Sequence, residues 1–183
     1  MKKTIAILLA LLMLASFAAC AHVKPAEEEP GEQTPSEQSG GAPNEQIANP
    51  WEDCAALADA AKLAGFDIAI PSFEGYPNKV IQAIAGSTIQ VMYFDGDPEA
   101  ENSSAITVRK GNESGDISGD YNEYSESETV QMHGIDVQLR GEKGLVYSAI
   151  WNWDGCSFSI GADNGLSREA IADAVEQMIT AAG

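Results

Sequence analysis

The chain is short of the side chains on which most enzyme chemistry runs. Histidine occurs twice, at His22 and His133, and cysteine three times, at Cys20, Cys54 and Cys156. Nucleophilic hydrolysis needs a nucleophile, a base within hydrogen-bond reach and a group that orients the base. Two isolated histidines do not supply that set. There is no Gly-x-Ser-x-Gly, no Gly-x-Gly-x-x-Gly opening a helix and no Gly-Lys-Ser/Thr, which removes the serine-hydrolase, dinucleotide and phosphate-loop readings. With so few cysteines and no paired histidine there is no ligand set for zinc, and no cofactor is expected. Positive charge is scarce too: 10 Lys and Arg stand against 28 Asp and Glu, a formal net charge of -18. A nucleic-acid binder needs a basic face, so no nucleic acid partner is expected, and anionic lipid headgroups would repel the chain.

Long apolar runs are absent except at the start. Met1-Lys2-Lys3 precedes an uncharged stretch from Thr4 to Phe17, then Ala18, Ala19 and Cys20. The stretch is shorter than the ~18 residues that read as a membrane-spanning helix, and its charged head and small-residue end have the anatomy of a secretory signal peptide, residues 1–19. Ala18-Ala19-Cys20 resembles the lipobox of bacterial lipoproteins, in which the cysteine is diacylated and becomes the mature N-terminus. Phe17 departs from the Leu, Val or Ile usual at that position. Ala19-Cys20-Ala21 also satisfies the small-x-small rule for plain secretion, with release from His22 onward. Lipidation at Cys20 is the preferred reading, because residues 20–50 look like a tether. That segment holds five of the eight prolines and, from Ala21, six acids against one lysine. Such a composition cannot bury enough apolar surface to offset its ordering entropy and is read as a disordered spacer.

Residues 51–183 remain for one α+β domain, carrying 22 acids against 7 bases, a balance of -15. Asn49-Pro50-Trp51-Glu52 reads as a helix start, with Asn as N-cap and Glu completing the capping box. Cys54, Leu57, Ala58, Ala61 and Ala64 follow as its apolar stripe, and Gly65 ends it. Leu166-Ser167-Arg168-Glu169 starts a second helix with Ser167 as cap and Ile171, Ala174, Val175, Met178 and Ile179 buried. Between them, strands are predicted at Phe66–Ile70, Lys79–Ile84, Thr88–Phe94 and Ala105–Lys110, followed by two hairpins. Asp154-Gly155 is a two-residue turn signal that pairs Trp153 with Cys156, Trp151 with Phe158 and Ala149 with Ile160. Those six, with Tyr147, share one face. Ser148, Asn152, Ser157 and Ser159 take the other, with Ile150 the only apolar residue, so this sheet should be apolar on one side and wet on the other. In Thr129–Val137 the apolar positions change parity across His133-Gly134, which places a turn there, with His133 exposed. The expected fold is a mostly antiparallel sheet of about six or seven strands with an N-terminal and a C-terminal helix packed on one face. The long stretch Gly111–Ser127 is too polar to pack and too long for a plain turn.

Ala64–Pro71, Asp116–Tyr124, the Val130–Leu139 hairpin, Trp151 ahead of a turn and the closing amphipathic helix together resemble an uncharacterised domain. It occurs on lipoproteins and anchored proteins of Gram-positive, often anaerobic, bacteria. The resemblance covers nearly all of residues 51–183, and its most specific piece is Asp116–Tyr124. It implies the extent of the domain and an extracytoplasmic location, and no activity.

Three candidate sites follow from the residues. Cys54 and Cys156 both point to the helix-covered face and form either a disulfide or two buried thiols. Two acidic loops, Phe94–Glu99 and Asp116–Glu123, gather carboxylate, amide and hydroxyl oxygens of the kind calcium takes, without the spacing of a calcium-binding EF-hand loop. Asp116, Ser118, Asp120, Tyr121, Asn122, Glu123 and Tyr124 therefore make one candidate recognition or cation loop. Its two tyrosines supply either contact area or cover, and one or both are expected to lie back on the sheet. The function expected is non-catalytic binding or sensing of an extracellular protein or envelope ligand by a domain anchored to the outer side of the cell membrane through lipid. The alternatives are a carboxylate-dependent hydrolase of envelope glycans and a calcium-binding surface module. Cys20→Ser should move the protein from the membrane fraction to the medium; unchanged fractionation of the variant would remove the lipid assignment.

Overall fold

The computed structural model describes residues 48–180. The leader, Cys20 and the tether as far as residue 47 lie outside the described residues. The chain divides into two units, Met1–Glu45 and Gln46–Gly183, and the second contains everything that follows.

Its elements in chain order are β1 (Glu52–Cys54), α1 (Leu57–Ala64), β2 (Asn78–Ile84), β3 (Thr88–Phe94), β4 (Ala105–Gly111), β5 (Glu126–Met132), β6 (Ile135–Glu142), β7 (Leu145–Trp153), β8 (Cys156–Leu166) and α2 (Arg168–Thr180). They build an α+β domain with one open eight-stranded sheet, ordered β1-β2-β3-β4-β8-β7-β6-β5, in which every neighbouring pair is antiparallel. Two four-stranded meanders are thus joined along β4 and β8. Three of the hairpin turns have both central residues at positive φ: His133-Gly134, Lys143-Gly144 and Asp154-Gly155. That backbone matches the right-handed twist of the flanking strands. Two of the three registers follow the sequence reading residue for residue, with Met132 opposite Ile135 and Trp153 opposite Cys156.

One face of the sheet carries the core. Val91, Val108, Ile160, Ala149 and Leu139 lie in one row across five strands, all at most 2% exposed. Trp151 and Phe158 stack in the next row, with ring centroids 5.3 Å apart, a geometry that adds ~1 kcal/mol beyond the area it buries. Helix α1 packs on β2 and β3 and buries Ala60 and Ala64. Helix α2 covers β7, β5 and β8 with Ile171, Ala174, Val175 and Met178. Ser167 Oγ caps it, accepting from the Ala170 N–H at 3.1 Å. Segment 66–77 follows α1 without regular structure and turns at Glu74-Gly75. Tyr93 donates its hydroxyl to the Pro71 carbonyl at 2.7 Å, Phe73 meets the Tyr93 ring edge-on, and Gln177 of α2 accepts from the Ser72 N–H.

Several expectations need correction. The first helix does not begin at Pro50: Asn49 Oδ1 accepts from the Trp51 N–H in a local turn, and Glu52, Asp53 and Cys54 pair with Ala83, Gln82 and Ile81. The pairing of β2 with a neighbour overrides a cap signal, and α1 starts beyond Ala56 with no side-chain cap. Phe66–Ile70 is not a strand, although Ile68 is buried in the core. Tyr147 leaves the face assigned to it, because the register shifts between Val146 and Ser148 and the ring stacks on Tyr124 instead, 5.5 Å away. The second face is not wet beneath its serines either: Ser148, Ser157 and Ser159 are at most 1% exposed.

The cover over those serines follows from topology. Because β4 pairs with β8, the segment 112–125 must travel from the middle of the sheet to β5 at its edge, about 19 Å across four strand spacings. It crosses the face that the helices leave free. At the bulge between Arg140 and Gly141 a side chain has no room, since a Cβ on Gly141 would overlap the Leu145 carbonyl oxygen. Gly141→Ala should destabilise the domain by ~1–3 kcal/mol, read as a lower urea midpoint.

Candidate functional site

The crossing segment, polar as it is, packs by supplying its own hydrogen bonds. Asp116 Oδ1 accepts from the Ser118 N–H at 2.9 Å and from its hydroxyl at 2.6 Å, and Ser118 Oγ accepts from the Asp120 N–H at 3.1 Å. Asp120 Oδ1 accepts in turn from the Asn122 N–H and amide, and Asp120 Oδ2 from the Tyr124 hydroxyl at 2.8 Å. Side chains at alternate positions so turn the backbone back on itself as a strap. Both acids point their oxygens into the loop or the sheet. Burial opposes the Asp116 carboxylate, but the two Ser118 bonds and Arg140, 3.0 Å away, outweigh it and hold the carboxyl below its ordinary value. The Tyr124 hydroxyl is pushed up by burial and by its bond to Asp120.

Two arginines of the sheet hold the strap down. Arg140 takes Asp116, and Arg109 donates Nη1 to the carbonyls of Ile117 and Ser118. Arg109 forms no ion pair among the described residues; burial lowers its guanidinium from the ordinary value, partly offset by Tyr121. Gly119, at φ +65°, sits so close over Arg109 that a Cβ would be 2.7 Å from Nη1. Below Arg109 a polar chain crosses the sheet. Arg109 Nε donates to Gln90 Oε1 at 2.8 Å, Gln90 Nε2 to Gln82 Oε1 at 2.6 Å, and Gln82 Nε2 to Asp53 Oδ1 at 2.8 Å. Four strands, β4 to β1, are linked in this way. Arg109 also lies over the Trp51 ring, 5.6 Å from its centroid.

That chain ends in an open groove of ≈ 560 Å³ at the β1–β2 edge, lined by Val80, Met92, Phe94 and Pro98 together with Asp53, Lys79, Gln82 and Glu99. The loop between β3 and β4 is held in place as its wall. Asn78 Nδ2 donates to the Gly96 carbonyl at 2.7 Å, and Asp95 Oδ1 accepts from the Ser104 N–H at 2.8 Å. A second recess, bounded by Glu126, Glu128, Arg140 and Arg168, measures ≈ 10 Å³, room for one water. The groove is in the size range of ligand sites.

The candidates from sequence fall into three groups. Asp116, Ser118, Asp120, Asn122 and Tyr124 come together in the strap. Tyr124 lies back on Tyr147, while Tyr121 is 96% exposed and Glu123 is exposed beside it. Asp95 and Asp97 accept from their own loop's N–H groups, and no group of three His, Cys, Asp or Glu able to hold a metal occurs among the described residues. Cys54 and Cys156 do not meet. Cys54 is on the edge strand β1 and Cys156 on β8, with β2, β3 and β4 between them, a separation of roughly 19 Å in strand spacings against the ~7 Å that a disulfide permits between Cα atoms. Both thiols are free, and burial, then Asp59, Glu52 and Asp53, push the Cys54 thiol up, away from a nucleophilic thiolate. His133 occupies the turn predicted for it and is exposed. Arg109, Gln90, Gln82 and the apolar wall of the groove were not singled out by motif. A signal was present in Val91-Met92-Tyr93-Phe94, where apolar residues fall on both parities of one strand and so on both faces.

Because Asp116 titrates lower in the folded protein than in the unfolded chain, its contribution is complete above the ordinary carboxylate value of about 4 and is lost as pH falls through the lower folded-state value. The protection factor of the Ser118 amide, its exchange measured against the intrinsic rate at each pH, should therefore fall on acidification through that window. The step should be absent in Asp116→Asn, and a step of unchanged size in that variant would assign it to another acid.

The chain matches no protein-family model, no curated protein and no solved structure, so its function rests on the chemistry of its own residues.

Proposed function

We propose that the chain is a non-catalytic binding domain of the cell envelope, exported, lipid-anchored through Cys20, carried on its acidic 20–50 tether, and contacting an envelope ligand through the β1–β2 groove. The groove carries this reading: its lining brings Val80, Met92, Phe94 and Pro98 together with Asp53, Lys79, Gln82 and Glu99, so a ligand there meets apolar and polar groups side by side. The strap supports it in a second way. Asp116 and Asp120 in the strap have their oxygens occupied by Ser118, Arg140, Asn122 and Tyr124. The resemblance to a lipoprotein domain of Gram-positive bacteria agrees with the compartment.

Hydrogen exchange of the full chain with separated envelope fractions, glycan and protein, tests the reading. Slowed exchange at Asn78–Gln82 and Met92–Phe94, without soluble product, is the expected result. Release of new reducing ends from the glycan fraction, abolished by Asp53→Asn with Glu99→Gln, would establish the hydrolase instead.

A further inference from the structure

The charge of the groove has a side. Asp53 stands opposite Gln82, Val80 opposite Met92 and Asn78 opposite Phe94, so all six project from the face that the helices leave free. The loop after β3 is drawn over the same face, because Asn78 Nδ2 donates to the Gly96 carbonyl, and it brings Pro98 and Glu99 to the lining. Lys79, the base of the lining, belongs to the opposite parity, and its Nζ lies over the Tyr93 ring on the helix-covered side, 5.1 Å from the centroid. The acids also stand apart. Asp53 marks one end of the groove beside Gln82, and the loop carrying Glu99 is tied at Asn78, four residues along β2, roughly 13 Å at the rise of a strand. Val80, Met92 and Phe94 lie between. Both acids are exposed, and Asp53 spends only Oδ1, on Gln82.

We propose that the groove binds a linear aliphatic diamine, with one ammonium at Asp53, the other at Glu99 and the methylenes along Val80, Met92 and Phe94. The proposal rests on the groove being the binding surface and names what it takes. A carboxylate answers an ammonium with charge-assisted hydrogen bonds, whereas the hydrocarbon between the two acids offers a ligand nothing to bond and suits a spacer of methylenes. A sugar would bury hydroxyls there without partners, at a cost, and an anion would meet two carboxylates. The 22 acids and 7 bases of residues 51–183 draw any dication toward the surface. Two acids set apart across an apolar floor select one with its charges at its ends. That chemistry reaches the groove either free or carried by an envelope component.

The test titrates the full chain at pH 7 with 1,6-diaminohexane, 1-aminohexane, 1,3-diaminopropane and 1,6-hexanediol, read from the Met92 methyl resonance. The long diamine should bind most tightly. The other three should each bind at least about fivefold more weakly, for one lost ammonium, for a spacer too short to reach both acids and for the loss of both charges respectively. Asp53→Asn, whose Oδ1 can still accept from Gln82, and Glu99→Gln, in an exposed loop, should each cut the preference for the long diamine over 1-aminohexane to within about twofold. Equal affinity for the two diamines reduces the effect to bulk charge attraction and overturns the proposal. So does 1,6-hexanediol binding as tightly as the diamine, or a preference that both variants retain. Silence at Met92 towards all four compounds, with the groove still protected by an envelope fraction, overturns the diamine while the groove reading stands; loss of that protection as well ends the two together. Envelope protection that survives acetylation of the fraction's amines also overturns the diamine. Protection that acetylation abolishes assigns the diamine to the envelope, and a response to 1,6-diaminohexane alone assigns a free ligand.

Discussion

The pairing of β4 with β8 is the constraint from which the rest of this domain follows. It joins two meanders into one sheet and leaves β4 and β5 parallel, with β8, β7 and β6 between them. A chain that leaves β4 can reach β5 only by crossing a face. The helices occupy one face with Ala60, Ala64, Ile171 and Val175, so the segment 112–125 takes the other and becomes the strap. Its sequence can be almost wholly polar because the sheet beneath presents Arg109, Arg140, Ser157 and Asn152, which exchange hydrogen bonds with it or with one another. The Ser157 hydroxyl illustrates the economy of the arrangement: it donates to Asn152 at 2.7 Å and accepts from the Gly115 N–H at 3.1 Å. A buried hydroxyl with donor and acceptor roles both filled costs little to bury.

The polar row from Asp53 to Arg109 has a role that a row of apolar residues would not fill. Each glutamine amide has one oxygen and one nitrogen to place, and the order Arg109, Gln90, Gln82, Asp53 gives Arg109 Nε, Gln90 Nε2 and Gln82 Nε2 an acceptor each, all in a single direction across the sheet. Register errors of one residue would move the whole row to the helix side and strand it there. The row therefore specifies the alignment of β1 through β4 at the same time as it connects the strap with the groove. Trp51, under Arg109, extends that connection to the residue just ahead of β1.

What the sequence disclosed depended on how far apart the interacting residues lie. The turns at His133-Gly134 and Asp154-Gly155, the cap at Ser167 and the strand Thr88–Phe94 are set by neighbours within a few positions, and they could be read directly. The strap could not, because the groups that hold it, Arg109 and Arg140, lie outside it in the chain and its own composition suggested solvent. Asn49-Pro50-Trp51-Glu52 misled for the reverse reason: a well-formed local signal gave way to the pairing of Glu52–Cys54 with β2. The bulge that turns Tyr147 toward Tyr124 leaves no mark in the alternation pattern. The groove was hidden because it exists only where β1 ends early, and that ending is fixed by the start of α1.

The two meanders also differ from the seam between them in how much chain each contact encloses. Within a meander every strand pairs with the next along the chain, so each ladder closes a short loop; the seam brings Ile106 opposite Ala162. Since loop-closure entropy rises with the length enclosed, the seam is the ladder whose closure costs the chain most, and joining the two half-sheets is the step that a longer connection between β4 and β8 would burden further.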